Sequence, residues 1–214
     1  KEIQSDHDVA GYELICELRK TPTVLYGLFV EIVRQFYMNN DPMLKGVPKV
    51  RWDIDPQKTD IWIDTELRWE DEHPEFRPAI FVKLGDIQYD NLPTIQNKAG
   101  MLLKDAIYYY NDVAKSTVTF IHVGNTSGEA CSLCDNTEQF LTTFKQQIAD
   151  DFCFLSYDKA QRAPITQSAK ESKERYMSSV TFNFSFEEAW STKLESPILK
   201  SVEIYTGHDP KYSG

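Results

Sequence analysis

The sequence lacks the short motifs on which many catalytic sites are built. It contains no G-x-x-x-x-G-K-[ST] loop, no G-x-G-x-x-G and no G-x-S-x-G elbow, so nucleotide binding and serine hydrolysis have no motif to support them. Four cysteines among 214 residues are too few and too unevenly spaced for a disulfide scaffold. The absence of these motifs favours a structural role in an assembly over an enzymatic role. We therefore predict no enzymatic activity and no cofactor.

Excess positive charge and long apolar runs are also missing. The chain has 23 basic against 33 acidic residues, a net charge of −10, which argues against general binding to nucleic acid because phosphate contacts need clustered lysine and arginine. The longest apolar candidate, residues 24–38, is interrupted by charged side chains and falls short of the roughly 18 residues that span a bilayer. We therefore expect no membrane partner.

The first strong pattern is an amphipathic helix that begins at Thr21-Pro22. The Thr21 hydroxyl can cap the helix and proline suits its first position, and apolar residues then recur every three or four positions. These residues are Val24, Leu25, Leu28, Phe29, Ile32, Val33 and Phe36. The helix should end at the turn-forming residues 39–42, and residues 1–20 should form an arm or a short helix.

Between residues 50 and 90 the apolar period changes to two, which predicts strands. One face carries Ile61, Ile63, Thr65, Leu67 and Trp69, and the other carries Trp62, Asp64, Glu66 and Arg68. Residues 79–82 should form a short strand, with residues 86–89 returning as its hairpin partner. The segment 107–110 favours a strand because it is rich in tyrosine.

The last third of the chain alternates most clearly between strand and helix. Residues 116–123 alternate as a half-buried strand, and residues 129–151 have one apolar helical face. Strands follow at 152–157, at 178–190 with alternating phenylalanines, and at 198–205. The charged segment 159–177, which contains Pro164, is predicted to be a long polar loop.

These elements predict an α+β fold: a mostly antiparallel sheet with two main helices packed on one face. We expect a single domain over residues 21–206, followed by a tail at 207–214.

Two places in the chain have residues that could carry chemistry. Cys131-x-x-Cys134 has metal or redox spacing, but no second pair completes a zinc site and Cys134 falls on the apolar helix face, so helix packing is the simpler interpretation. His122 ends a strand before a glycine-containing loop. An alternative function is therefore a small metal-dependent hydrolase that uses His122 with acidic residues of 60–90, although a structural histidine is the simpler interpretation.

The acidic segment 60–90 and the aromatic strand also have two interpretations each. Asp64, Glu66 and Glu70 would bind a divalent ion if they converged, but on a strand they line a solvated or subunit-facing surface, and we predict no metal. The phenylalanines of 182–186 are interpreted as the inner face of a sheet. If they were exposed instead, the protein would be a monomeric binding module whose aromatic face meets a partner.

Taken in order, these elements resemble the tail terminator family among the neck and tail-completion proteins of tailed bacteriophages. The resemblance covers roughly residues 22–206. It is carried by the helix 23–39, Arg77-Pro-Ala-Ile-Phe-Val-Lys-Leu-Gly85, Val118-Thr-Phe-Ile-His-Val123, Ser127-Gly-Glu-Ala130 and the strand Val180-x-Phe-x-Phe-x-Phe-x-x-x-Trp190.

The resemblance implies a structural virion protein without catalytic residues. It would form a ring, expected to be a hexamer, that terminates the tail tube or joins tail to head. The ring would assemble in the bacterial host cytoplasm, and its partners would be copies of itself and other neck, tube or sheath proteins. DNA would be passing cargo only, and carboxylates of 60–90 would suit the lining of its channel.

A ring subunit needs polar surfaces that dock on its neighbours. The candidate interface residues come from the acidic strands and the predicted polar loop. They are Asp64, Glu66, Arg68, Glu70, Lys159, Arg162, Lys170, Lys173 and Arg175.

Overall fold

The architecture is described by a computed structural model over residues 20–39, 42–47, 49–65, 77–89, 98–102, 107–170 and 173–193. The arm predicted at 1–20 (apart from Lys20), the strand predicted at 198–205 and the tail at 207–214 lie outside these residues. Within them, no helix is long and apolar enough to cross a membrane.

The first helix, α1, spans Pro22–Asn39 and confirms the predicted amphipathic segment. The backbone N–H of Val24 donates to the Thr21 hydroxyl at 3.4 Å, so Thr21 caps the helix as its sequence position indicates. The predicted apolar face is the buried face, because Leu25, Phe29 and Val33 are fully buried.

The described residues form seven strands in one sheet. Their bounds are β1 Trp62–Thr65, β2 Ala79–Leu84, β3 Gln88–Tyr89, β4 Lys98–Leu102, β5 Ile107–Gly124, β6 Phe154–Lys170 and β7 Lys173–Lys193. The order across the sheet is β1-β2-β5-β7-β6, with β3 and β4 also pairing with β5. β1 pairs with β2 in parallel, whereas β2, β3 and β4 pair antiparallel with β5, and β6 pairs antiparallel with β7.

Residues 86–89 do not form the predicted hairpin with the strand before them. β3 instead pairs with β5, with Gln88 opposite Lys115. The N–H of Gly85 donates to the Thr117 carbonyl at 2.8 Å, so the chain stays paired with β5 after β2 ends.

The second predicted helix, 129–151, is two helices. α2 spans Ser127–Thr143 and α3 spans Lys145–Asp151, and the backbone leaves the helical region at Phe144, where ψ is 15°. α2 begins two residues earlier than predicted because Thr126 is its N-cap and accepts a hydrogen bond from the Glu129 N–H at 3.1 Å.

All three helices pack on the same face of the sheet, which confirms the predicted α+β class. Phe29 of α1 lies at the centre of this core, with five aromatic ring centroids within 6.3 Å. Those rings belong to Phe120, Phe152, Phe154, Tyr157 and Phe184. The same hydrophobic cluster includes Leu133 and Leu141 of α2 and Ile148 of α3.

Hydrogen bonds from Tyr37 and Arg34 attach α1 to its neighbours. The Tyr37 hydroxyl is 2.9 Å from the Thr137 hydroxyl of α2, and burial raises the pKa of Tyr37 to about 12. The Arg34 guanidinium donates to the Ile63 carbonyl of β1 at 2.9 Å and stacks over the Trp52 ring. These contacts fix α1 against both α2 and the first strand.

The chain divides into two compact units, and the single domain over residues 21–206 stays a prediction. One unit comprises Lys1–Tyr89 with Val113–Glu187, and the other comprises Asp90–Asp112 with Glu188–Gly214. In the second unit, β4 pairs with residues 107–110 of β5.

The predicted polar loop at 159–177 is also wrong, because these residues belong to β6 and β7, apart from 171 and 172, which are outside the described residues. The segment has no period of two in its apolar residues because its side chains from Gln161 to Gln167 are almost all exposed. A strand exposed on both faces carries no hydrophobic alternation for a sequence pattern to reveal.

We predict that Phe29→Ala lowers the free energy of unfolding by about 3–5 kcal/mol, because it leaves a cavity among five aromatic rings. Chemical denaturation at neutral pH would measure the loss.

The matched control on the same helix is Gly27→Ala. Gly27 is exposed and an added Cβ there would meet nothing within 4 Å, so the change should stabilise the protein by about 0.5–1 kcal/mol. A loss below about 1 kcal/mol for Phe29→Ala would contradict the described core.

Candidate functional site

The long hairpin of β6 and β7 forms one edge of the sheet. Its register runs from Phe154 opposite Phe186 to Lys170 opposite Lys173, and β6 comes last in the order of the described strands. A strand in that position presents a row of backbone N–H and C=O groups away from its sheet partner. The hairpin is therefore the first candidate for an assembly surface.

Burial divides the hairpin into a proximal and a distal part. Near its base, Tyr157 of β6 and Phe182 of β7 are buried, with their rings stacked at 5.0 Å. Farther along, residues from Pro164 to Gln167 are exposed. Pro164 has no N–H to donate, which is tolerated at a sheet edge and rarely elsewhere.

Two large apolar side chains of β6 are exposed. Leu155 is 57% exposed and Ile165 is 43% exposed. Leu155 lies at an irregularity of the register, between the paired residues Phe154 and Ser156. Exposed apolar side chains on the last strand of the described sheet are groups that a protein partner could cover.

Two of the predicted interface residues form ion pairs with other residues of the same chain. Lys159 forms an ion pair with Glu138 of α2, and Arg162 pairs with Asp135 and, at 3.4 Å, with Glu138. The bulge between Lys159 and Gln161 lets both basic side chains reach the helix. These cations therefore fasten β6 to α2 and are not free for a partner.

The other basic candidates lie at the far end of the hairpin. Lys170 and Lys173 are opposite each other in the register, and Arg175 is opposite Ser168. Arg175 is half-buried. The structure brings these three positions together at one end of the hairpin, separate from the acidic candidate Asp64.

The prediction that Asp64 lines a solvated or subunit-facing surface is wrong. Asp64 is 7% exposed and its carboxylate accepts a hydrogen bond from the Thr65 N–H at 2.8 Å. In the register with β2, Asp64 lies beside the fully buried Phe81. Glu66, Arg68 and Glu70 lie outside the described residues.

His122 is fully buried beneath the helices. Its Nδ1 lies 3.3 Å from the Ser178 carbonyl, and its Nε2 has no hydrogen-bond partner within the described part of the chain. Burial lowers the pKa of His122 to about 3, and the hydrogen bond to Ser178 opposes that shift only in part. Among the described residues, no group of three or more His, Cys, Asp or Glu side chains is arranged to hold a metal ion.

The cysteine pair is divided between the core and the surface of α2. Cys134 is fully buried in the main core, and burial raises the pKa of its thiol, which confirms packing as its role. Cys131 is half-buried, with its sulfur 3.7 Å from the Arg162 guanidinium. Phe182, Phe184 and Phe186 are likewise buried, so the aromatic strand is core and not a docking face.

Comparison with known proteins does not identify a family. No protein-family model matches the chain, and no curated protein matches it significantly.

We predict that the His122 imidazole stays neutral throughout the range in which exposed histidines titrate. Its pKa falls from 6.5 in the unfolded chain to about 3 in the folded one, so the unfolded state takes up the proton first as the pH falls. His122 thus stabilises the fold fully above about pH 6.5, and this contribution is lost toward pH 3 by at most about 1.4 kcal/mol per pH unit.

Proton NMR of the imidazole signals between pH 8 and 5 would measure this, with His122→Gln to assign the signal. A midpoint near 6.5 for His122 would show that it is accessible to solvent and would contradict the described site.

Proposed function

We propose that this protein is a structural subunit of the neck or tail of a tailed bacteriophage, where it forms a ring that terminates the tail tube or joins tail to head. The observation that carries the proposal is the 17-residue strand β6 at the edge of the sheet. The order of elements that resembles the tail terminator family supports the placement in a virion.

A sheet edge of this length, bare among the described residues, favours pairing with another chain. Monomeric proteins protect sheet edges with short strands, prolines, bulges or outward charges. β6 has one proline, Pro164, and its register with β7 is irregular at three places. The residues from Ser156 to Lys159 nevertheless pair regularly with β7 and contain no proline. The cations Lys159 and Arg162 point to α2 and form ion pairs there, so they do not guard the edge.

A hydrolase at His122 receives less support. A base or metal ligand must lie within about 3 Å of the group on which it acts, whereas His122 is fully buried against the Ser178 carbonyl. Its low pKa follows from that burial. A structural role accounts for each of these features.

We predict that the purified protein assembles into a discrete ring, expected to be a hexamer, and that Leu155→Glu weakens this assembly. The leucine is more than half exposed, so its replacement should leave the melting temperature nearly unchanged while placing a charge beside the open edge. Light scattering over a range of protein concentration and salt, with electron microscopy of the particles, would measure both effects.

The matched control is Thr142→Glu, which adds the same charge at an exposed position of α2 and should assemble as the unmodified protein does. The proposal is wrong if the unmodified protein stays monomeric at high concentration and also fails to assemble when isolated tail tubes are added.

A further inference from the structure

Cys153, which lies between α3 and β6, takes part in a disulfide bond. The chain has four cysteines, and the thiols of Cys131 and Cys134 are free. Within one chain, Cys16 is then the cysteine that remains as its partner. Cys16 lies outside the described residues, so the pairing follows from the cysteine count together with the surroundings of Cys153.

The backbone at Cys153 adopts a conformation that does not favour cysteine. Its φ is 52°, in the left-handed region that glycine enters readily and other residues seldom adopt. It directly follows Phe152, the C-cap of α3, and helices most often place glycine at that position. A cysteine gains nothing from this backbone position, which points to a role for its sulfur.

The start of α1 lies within reach of Cys153. The residues on either side of it, Phe152 and Phe154, both pack against Phe29 of α1, with ring centroids 6.3 Å and 5.7 Å away. Phe29 lies about 10 Å along the helix from its first residue. The segment 16–21, which precedes α1, spans up to about 20 Å when it is extended. The chain is therefore long enough to bring the two sulfurs together.

Two further observations place the two cysteines in the same part of the molecule. Lys1–Tyr89 and Val113–Glu187 form one compact unit, which contains both of them. Lys20, close to the start of α1, is only 7% exposed, so the chain enters the helix against the protein and not from the solvent. A bond between the cysteines would lie within this unit.

We propose that Cys16 and Cys153 form a reversible disulfide bond that ties the segment 1–20 to the junction of α3 and β6. The bond would hold the two Cα atoms roughly 4.4–6.8 Å apart. It would close a loop over well more than half of the chain, and a long closed loop restricts the unfolded chain more than a short one does. The proposal does not depend on the proposed function.

The bond forms by exchange with a low-molecular-weight disulfide, RSSR. The thiolate of one cysteine attacks RSSR and releases RS⁻, and the thiolate of the other then attacks the mixed disulfide and releases a second RS⁻. The cysteines are oxidised by two electrons, RSSR is reduced by two, and the two thiol protons end on two molecules of RSH. Because cytosolic thiols are kept reduced, the bond would form when the protein meets an oxidising medium.

The first test locates the bond by peptide mapping. The full chain is equilibrated with oxidised glutathione, denatured, alkylated and digested with trypsin, which separates the cysteines into peptides 2–19, 116–145 and 146–159. We expect peptide 2–19 linked to peptide 146–159, and peptide 116–145 linked to neither. Reduction before alkylation should break the link and leave all four thiols alkylated.

The second test measures what the bond does for stability. Reduction should lower the melting temperature of the oxidised protein by roughly 10 °C, as release of a long closed loop does. Cys16→Ser removes the bond without changing the backbone at Cys153, and it should melt like the reduced protein whether or not a reductant is present. The matched control Cys131→Ser keeps the bond and should respond to reduction as the unmodified protein does.

Four free thiols after equilibration with oxidised glutathione would overturn the proposal, and so would a link that includes peptide 116–145. A covalent dimer on a non-reducing gel would overturn the pairing within one chain. A melting temperature that reduction leaves unchanged would overturn the stabilising tether. None of these results depends on whether the protein forms rings.

Discussion

Every buried backbone N–H and C=O in a sheet needs a hydrogen-bond partner, and this requirement shapes the molecule. β5 meets this requirement at the centre of the sheet. It pairs with β2, β3 and β4 and has β7 as its other neighbour. β7 is in turn paired with β6 along the whole hairpin. β6 ends the order of the described strands, so within the described residues no strand lies beside its outward backbone groups.

The hydrophobic core holds the base of the β6–β7 hairpin in one position. Phe29 holds α1 against Phe154 and Tyr157 of β6 and Phe184 of β7, so the base of the hairpin cannot shift without opening the aromatic cluster. Farther along the hairpin, ion pairs from Lys159 and Arg162 attach β6 to α2. Beyond them the β6 side chains from Pro164 to Gln167 are exposed, whereas Arg175, Tyr176 and Met177 of β7 are half-buried. A rigid base with an exposed end is a suitable geometry for an arm that contacts a neighbouring subunit.

Sequence patterns predicted those helices and strands that bury one face and expose the other. The 3.6-residue period of α1 and the alternation around Phe182 follow directly from that burial, and so does the α+β class. The distal part of β6 was missed because its side chains from Gln161 to Gln167 are almost all exposed. The buried Asp64 was missed because strand alternation shows which residues share a face but not what covers the polar one. Thr126 and Glu129 form a cap signal that would have placed the start of α2. The exposure of Leu155 and Ile165 depends on tertiary packing, which no local pattern contains.

Hydrogen–deuterium exchange along β6 tests the central claim most directly, because it reports on the backbone edge itself. Exchange would be compared between dilute protein and protein at assembling concentrations. If the edge is the assembly surface, the outward amides of 154–163 should exchange rapidly when dilute and become protected on assembly, while the inward amides paired with β7 stay protected in both states. Outward amides that exchange equally fast in the assembled ring would contradict the account, since the subunits would then be joined elsewhere.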